Sequence, residues 1–180
     1  VFDGAAERPY REDDRMCPLG VYGQTKAAGD AIVATVPRHY IVRTSWVIGE
    51  GNNFVRTMAS LAERGIDPKV VNDQVGRLTF TEEIARGILH LIGAGAPAGT
   101  YNLTGAGEPM AWADIARRVF ELTGHDPAVI TGVSTEEYFA NASTPVAPRP
   151  RNSVLDLGKL EATGFAPTDA GASLRAYLMA

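Results

Sequence analysis

The chain has a single cysteine, Cys17, among its 180 residues. That excludes an intrachain disulfide and a cysteine-based metal site, and such sparing use of cysteine fits a cytoplasmic protein. Cys17, beside Pro18, reads as a spectator thiol. Long apolar runs are missing too. Nothing approaches the ~18 residues a membrane span needs, so no membrane partner is expected. Positive charge is scarce: Lys and Arg total 17 against 21 Asp and Glu, a net charge of −4, which argues against a nucleic-acid partner. His39, His90 and His125 are scattered without metal-ligand spacing and read as structural. No internal repeat is evident. No G-x-G-x-x-G or G-x-x-G-x-x-G turn opens a strand–turn–helix unit, so the usual cradle for a pyrophosphate is not among these residues. What remains is ordinary globular material, 45% hydrophobic and 21% charged, long enough for one domain with a real core.

Turn residues divide this material into short elements. Residues 1–18 are charged and turn-rich and read as a loop. A helix is expected over 19–36, with Ala27, Ala28, Ala31 and Ile32 as its inner face and Pro37 as its stop. A strand over 40–44 and a turn over 49–52 follow. A helix over 53–64 ends at Gly65, with Asn52 the favoured cap and Asn53 either a cap or a ligand contact. After a brief strand at 70–71, Thr81 reads as the N-cap of a helix to about Gly93, with Glu82 and Glu83 in the first turn, where the helix dipole favours acids. Then come a loop at 95–99, a strand at 100–103, a helix at 111–122 and a strand near 129–130. Residues 141–152, rich in Pro, Ala and Arg, read as irregular. Helices over 157–163 and 170–179 close the chain. Strands alternating with helices imply a parallel sheet and an α/β fold.

One pair of residues carries chemistry. Tyr22-Gly-Gln-Thr-Lys26 places a phenol and an ammonium four residues apart, on one face of a helix. A neighbouring cation favours phenolate over phenol and so makes a tyrosine a better general acid near neutrality. Thr44 and Ser45 fall at the C-terminal end of a strand, where open α/β sheets place their ligands.

The order of motifs is more specific than any one of them. Val1-Phe2-Asp3-Gly4 leads to Pro9-Tyr10-Arg11-Glu12, then Tyr22-x-x-x-Lys26, Arg43-Thr44-Ser45-Trp46, Gly51-Asn52-Asn53-Phe54, Asn72-Asp73-Gln74-x-Gly76, Tyr101-Asn102-Leu103, a helix opened by Trp112, and Arg149-Pro150-x-Asn152-Ser153. This series resembles the extended short-chain dehydrogenase/reductases that act on nucleotide sugars. Within them it is most similar to the dTDP-4-dehydrorhamnose reductase family.

The resemblance implies a particular architecture. The chain is expected to be the C-terminal part of a longer enzyme whose glycine-rich N-terminal half lies elsewhere. Residues 1–50 and 80–105 would complete a Rossmann-type parallel sheet, and 51–79 with 106–180 would form a smaller α/β substrate domain. The partners implied are the absent N-terminal half, a dTDP-sugar substrate and a possible second copy in a homodimer.

It also implies roles. NADPH or NADH is the cofactor and the C4 ketone of a nucleotide sugar is the substrate. Tyr22 is the proton donor, and Lys26 supports Tyr22 and the nicotinamide ribose. Thr44 and Ser45 are further cofactor contacts, and Trp46, Asn53 and Arg149 are substrate contacts. Arg77 and Arg151 are weaker phosphate candidates. The chain departs from the pattern at Leu78-Thr79, where the family carries Pro-Thr, and at Arg86, where a magnesium-binding relative would need a carboxylate; no metal is implied. Two other readings share these motifs: a reductase or epimerase-reductase for another nucleotide deoxysugar, and a non-catalytic relative that binds a protein partner.

Overall fold

A computed structural model describes residues 1–179. The first helix, α1 (Val21–Val33), follows an extended Gly20 with no side-chain cap. It leads into β1 (Tyr40–Arg43) and β2 (Val47–Ile48). Helix α2 (Phe54–Glu63) is followed by β3 (Lys69–Val71), β4 (Val75–Gly76) and β5 (Thr79–Phe80). Helix α3 (Thr81–Gly93) precedes β6 (Gly99–Asn102) and β7 (Met110–Ala111). Then come α4 (Trp112–Leu122), a 3-10 turn over Pro127–Val129, β8 (Thr131–Val133), α5 (Thr135–Tyr138), α6 (Gly158–Glu161) and α7 (Ala170–Met179).

The strands associate in pairs. β1 runs parallel to β6, with Tyr40 opposite Gly99 and Arg43 opposite Asn102. β2–β5 and β3–β8 are also parallel, while β4–β7 is antiparallel. Helices between parallel strands define the α/β class. None of the described helices is long and apolar enough to cross a membrane.

Two hydrophobic clusters hold these pairs. The larger gathers Ile48 and Phe80 with Val55, Met58 and Ala62 of α2, Ala113, Ile115, Ala116, Val119 and Phe120 of α4, and Leu174 of α7. The spacing of these residues in α2 and α4 is that of one helix face, and burying it against a neighbour is what stabilises each helix. The smaller cluster places Leu91 of α3 against Tyr101, Leu103, Leu160 and Phe165. Gly87 makes this packing possible, since a Cβ there would sit 2.1 Å from the Leu103 side chain.

Several sequence expectations are corrected. α1 buries no residue, and Ile32, expected on an inner face, is 70% exposed. An apolar stripe is buried only where another element lies across it, and none of the described residues covers this one. α1 also ends at Val33, before Pro37, with Ala34 as its C-cap. The cap of α2 is Asn53, whose side chain accepts from the Arg56 amide at 3.1 Å, and not Asn52. Thr81 is the first residue of α3 rather than its cap, because the extended residue before it is Phe80. Val129 belongs to the 3-10 turn that Asp126 caps through the Ala128 amide, which delays the strand to Thr131.

With no buried side chain, α1 depends on polar ties. Asp30 accepts from Arg43 Nε at 2.9 Å, and both side chains are largely buried, at 18% and 11% exposed. Removing one partner of such a pair strands the other charge. Arg43→Met alone is therefore expected to lower the unfolding free energy by about 3 kcal/mol, and Asp30→Asn combined with Arg43→Met to cost clearly less than the two single changes added together. Urea titrations of the four proteins read this directly; strict additivity would show that the pair does not hold the helix.

Candidate active site

The site is built from the C-terminal end of β1 outward. After Arg43 the chain leaves the strand, and Thr44 is exposed while Ser45 is half-buried. The Ser45 hydroxyl oxygen is buried without a partner among the described residues. Buried hydroxyls are normally satisfied, so this oxygen at a strand end is suited to receive a ligand group.

Trp46 turns the chain. Its φ of +48° is the only positive value at a non-glycine position among the described residues, a conformation that costs of order 1–3 kcal/mol in a bulky residue. Three contacts offset it. The Trp46 carbonyl accepts from the Thr79 amide at 3.1 Å. One face of the indole stacks on Trp112 at 3.8 Å between centroids and 17° between planes, and Phe54 tilts against Trp112 at 4.6 Å. Gly76 of β4 also meets the indole, where a Cβ would lie 2.7 Å from Trp46 Cε2. The side chain remains only half-buried, so an aromatic surface is presented on a rigid backing.

Asn53 is committed to the protein itself. Besides capping α2, its amide donates to the carbonyls of Gly49 and Gly51 and to the Tyr177 hydroxyl at 2.8 Å. The expected ligand contact at Asn53 thus lies at a residue that shapes the 49–53 turn.

Tyr22 and Lys26 lie together on α1, with Lys26 Nζ 5.5 Å from the Tyr22 ring centroid. Tyr22 is 78% exposed. Asp30, one turn beyond Lys26, ties the helix to Arg43, so the phenol and ammonium are carried by an element anchored at the end of β1. Arg43 also donates to the Glu12 carbonyl at 3.0 Å and lies over the Phe2 ring.

Arg149 is exposed and forms no ion pair among the described residues. The segment that carries it is pinned on its C-terminal side. Pro150 packs on Gly4, Asn152 donates to the Ala6 and Arg8 carbonyls, and the Ser153 amide donates to the Val75 carbonyl. Arg77, a weak phosphate candidate, is spent on the Gly107 and Leu155 carbonyls. His90 and His125 bond to Thr163 and Thr123, and no group of three or more His, Cys, Asp or Glu suited to a metal occurs among the described residues.

Sequence reasoning missed the residues that set this geometry. Tyr177, Arg43 and Trp112 act through partners distant along the chain. Asn152 and Asn102, quoted only as parts of motifs, proved to be hubs for backbone carbonyls. Asp73 was another motif residue. Its carboxylate accepts from the Thr135 amide and, at 2.6 Å, from the Thr135 hydroxyl, fixing the start of α5. Burial pushes the Asp73 carboxyl up, but the Thr135 bonds and the charge of Arg151 outweigh it, and the group sits below the usual carboxylate range.

Residues arranged this way define an α/β protein with Thr44, Ser45 and Trp46 at the end of a parallel strand pair. The whole chain, residues 1–180, matches the model of the RmlD substrate binding domain, and it belongs to that family. It is 38% identical to the spore coat polysaccharide biosynthesis protein SpsK of Bacillus subtilis over 180 residues, covering 99% of this chain and 60% of the relative. A crystal structure of a dTDP-4-dehydrorhamnose reductase from Clostridium acetobutylicum superposes with a TM-score of 0.89 at 40% identity, covering 99% of this chain and 62% of that one. A dTDP-4-dehydrorhamnose reductase from Bacillus anthracis, solved in complex with NADP, superposes at 0.87 with 30% identity, covering 99% and 62%. The chain thus spans about three-fifths of the length of the relatives it matches, and its fold is the corresponding part of their Rossmann-type architecture.

Two consequences can be measured. Gly76→Ala forces the Trp46 indole off its backing, so a stability loss of about 1–3 kcal/mol is expected, together with a red shift of the fluorescence, since Trp46 and Trp112 are the only two tryptophans. Unchanged emission and melting would contradict the packing. Asp73, with its folded pKa below the unfolded value of 3.8, contributes stability that is present above that value and is lost as pH falls through the folded pKa. Asp73→Asn is expected to be less stable than wild type at neutral pH, and the gap to close on acidification below about pH 4. A gap that stays constant down to pH 2 would refute the role of the ionised carboxylate.

Proposed function

We propose that these residues are part of an NADPH- or NADH-dependent reductase that converts the C4 ketone of dTDP-4-dehydro-L-rhamnose to the alcohol of dTDP-L-rhamnose, a precursor for cell-surface polysaccharide made in the cytoplasm. The observation that carries this reading is the match of the entire chain to a substrate-binding domain family whose solved relatives are dTDP-4-dehydrorhamnose reductases, one of them holding NADP. The paired Tyr22 and Lys26 on an anchored helix support catalysis over a purely binding role.

The residues fit a nicotinamide at one end only. The unpartnered Ser45 hydroxyl and the exposed Thr44 lie at the strand end where such a ring would be held, and the pyrophosphate cradle is to be supplied by the N-terminal half that the longer relatives possess. The cofactor, when bound, supplies hydride to the carbonyl carbon. Tyr22 donates its phenolic proton to the carbonyl oxygen, and Lys26 holds positive charge beside the phenolate that results while bonding the ribose. Trp46 offers the accessible part of its half-buried indole, held between Trp112 and Gly76, to the sugar. Arg149, on its pinned segment, meets the diphosphate with a planar guanidinium.

We read residues 1–50 and 80–105 as the sheet side and 51–79 with 106–180 as the sugar side. The two hydrophobic clusters follow this division in part: Ile48 and Phe80 of the sheet side pack into the larger cluster, and Leu160 and Phe165 of the sugar side into the smaller. In the full-length protein, Tyr22→Phe is expected to lower turnover of dTDP-4-dehydro-L-rhamnose at least 100-fold, the loss typical of a general acid, with little change in melting temperature. NADPH oxidation followed at 340 nm measures it, and turnover within threefold of wild type would overturn the assignment.

A further inference from the structure

The C-terminal helix reaches the turn that follows Trp46, and one side chain makes the link. Tyr177 of α7 donates its hydroxyl proton to the Gly49 carbonyl at 2.6 Å and accepts from Asn53 Nδ2 at 2.8 Å. The two partners are the ends of the 49–53 turn. Asn53 Nδ2 also bonds the Gly49 carbonyl at 2.9 Å, so one hydroxyl, one amide and one carbonyl close a small ring of hydrogen bonds. The Tyr177 ring itself is fixed on both sides, by Phe80 at 5.3 Å and by the Arg56 guanidinium at 5.5 Å.

The other end of α7 is held as well. Buried Glu83 of α3 accepts from the Thr168 amide and hydroxyl just before the helix begins. Leu174, fully buried, seats the middle of α7 in the large cluster. The helix is thus a strut pinned at its start, its centre and its tip. The tip bears on a turn that begins three residues past Trp46.

We propose that Tyr177 is a positioning residue for nucleotide-sugar binding. It touches no reacting atom. Its hydroxyl sets the conformation of the 49–53 turn and the start of α2, and so the position of Asn53, which the resemblance places against the nucleotide sugar. This inference rests on the functional reading above.

Tyr177→Phe in the full-length protein is the test, because phenylalanine keeps the ring between Phe80 and Arg56 and removes only the hydroxyl. Two measurements separate the possibilities. Hydrogen exchange of the Arg56 and Thr57 amides, which Asn53 holds through its side-chain oxygen and its carbonyl, is expected to accelerate about tenfold in the variant, with the α4 amides unchanged, as for the loss of a pair of hydrogen bonds that holds a local element. Calorimetry with dTDP as the probe is expected to show affinity reduced about fivefold, and kinetics a raised KM for the sugar with kcat within twofold and the KM for NADPH unmoved. Asn53→Ala is expected to lose about as much, and the double variant little more than either. If wild type binds dTDP and Tyr177→Phe binds it within 1.5-fold, the inference falls and the function stands. If wild type binds no dTDP, the functional reading falls and this inference with it. Unchanged exchange at Arg56 and Thr57 would overturn the positioning role by itself.

Discussion

Arg43 stands at the end of β1, and three groups from two pieces of chain converge on its guanidinium. Asp30 comes from α1, the Glu12 carbonyl from the N-terminal loop, and Phe2 lies beneath the charged plane. A guanidinium at 11% exposure must be satisfied in full, so its partners are held where its fixed fork requires them. Most helices of this chain are placed by burial. α1 is placed by charge. The distance between the Tyr22–Lys26 pair and the Ser45–Trp46 strand end is therefore an electrostatic quantity within these residues, and it is most sensitive to whatever disturbs one ion pair.

A second constraint is the supply of donors to irregular backbone. Residues 1–10, 73–77 and 150–156 are largely without regular structure, yet they meet near the site, and their carbonyls cannot be left unpaired. Backbone amides answer part of this demand, and two asparagines answer much of the rest. Asn152 bonds the Ala6 and Arg8 carbonyls, and its own oxygen accepts from the Val154 amide. Asn102, fully buried, bonds the Tyr10 and Asp156 carbonyls, and its backbone amide donates to the Glu12 carboxylate. The polar seam between the two hydrophobic clusters is thus wired through short, stiff side chains. Its loops serve as walls on which Arg149 and Trp46 can be fixed.

Much of this was legible in the sequence where a signal was local. α2 and α4 fell within a residue of expectation because their apolar faces repeat with helical period and Gly65 or Trp112 marks an end. The acidic first turn of α3 and the closing helix α7 were legible for the same reason. Caps were harder. Asn52 and Asn53 are chemically equal candidates, and only the backbone path past Gly51 gives the role to Asn53. The inner face read into α1 failed because periodicity names a face without naming its cover. At the site, the Tyr22–Lys26 spacing is a property of one helix and was readable. The stacking of Trp46 on Trp112, the glycine behind it, and the tie from Tyr177 to Gly49 across 128 positions are products of packing, and no window of sequence contains them.

The seam also bears on how the chain acquires its shape. Asn152 is 146 positions from Ala6, and the Tyr10 amide likewise waits for Val154. Closing so long a loop is entropically costly and gains nothing until both ends are present. During synthesis, the loop over residues 1–10 emerges before the rest of these residues and can reach its final bonds only after about 140 further residues have left the ribosome. The clusters around α2 and α4 can condense earlier, on nearer contacts. The segment nearest the proposed catalytic pair is then among the last to settle, and folding of the active-site wall is a late event that registers completion of the rest.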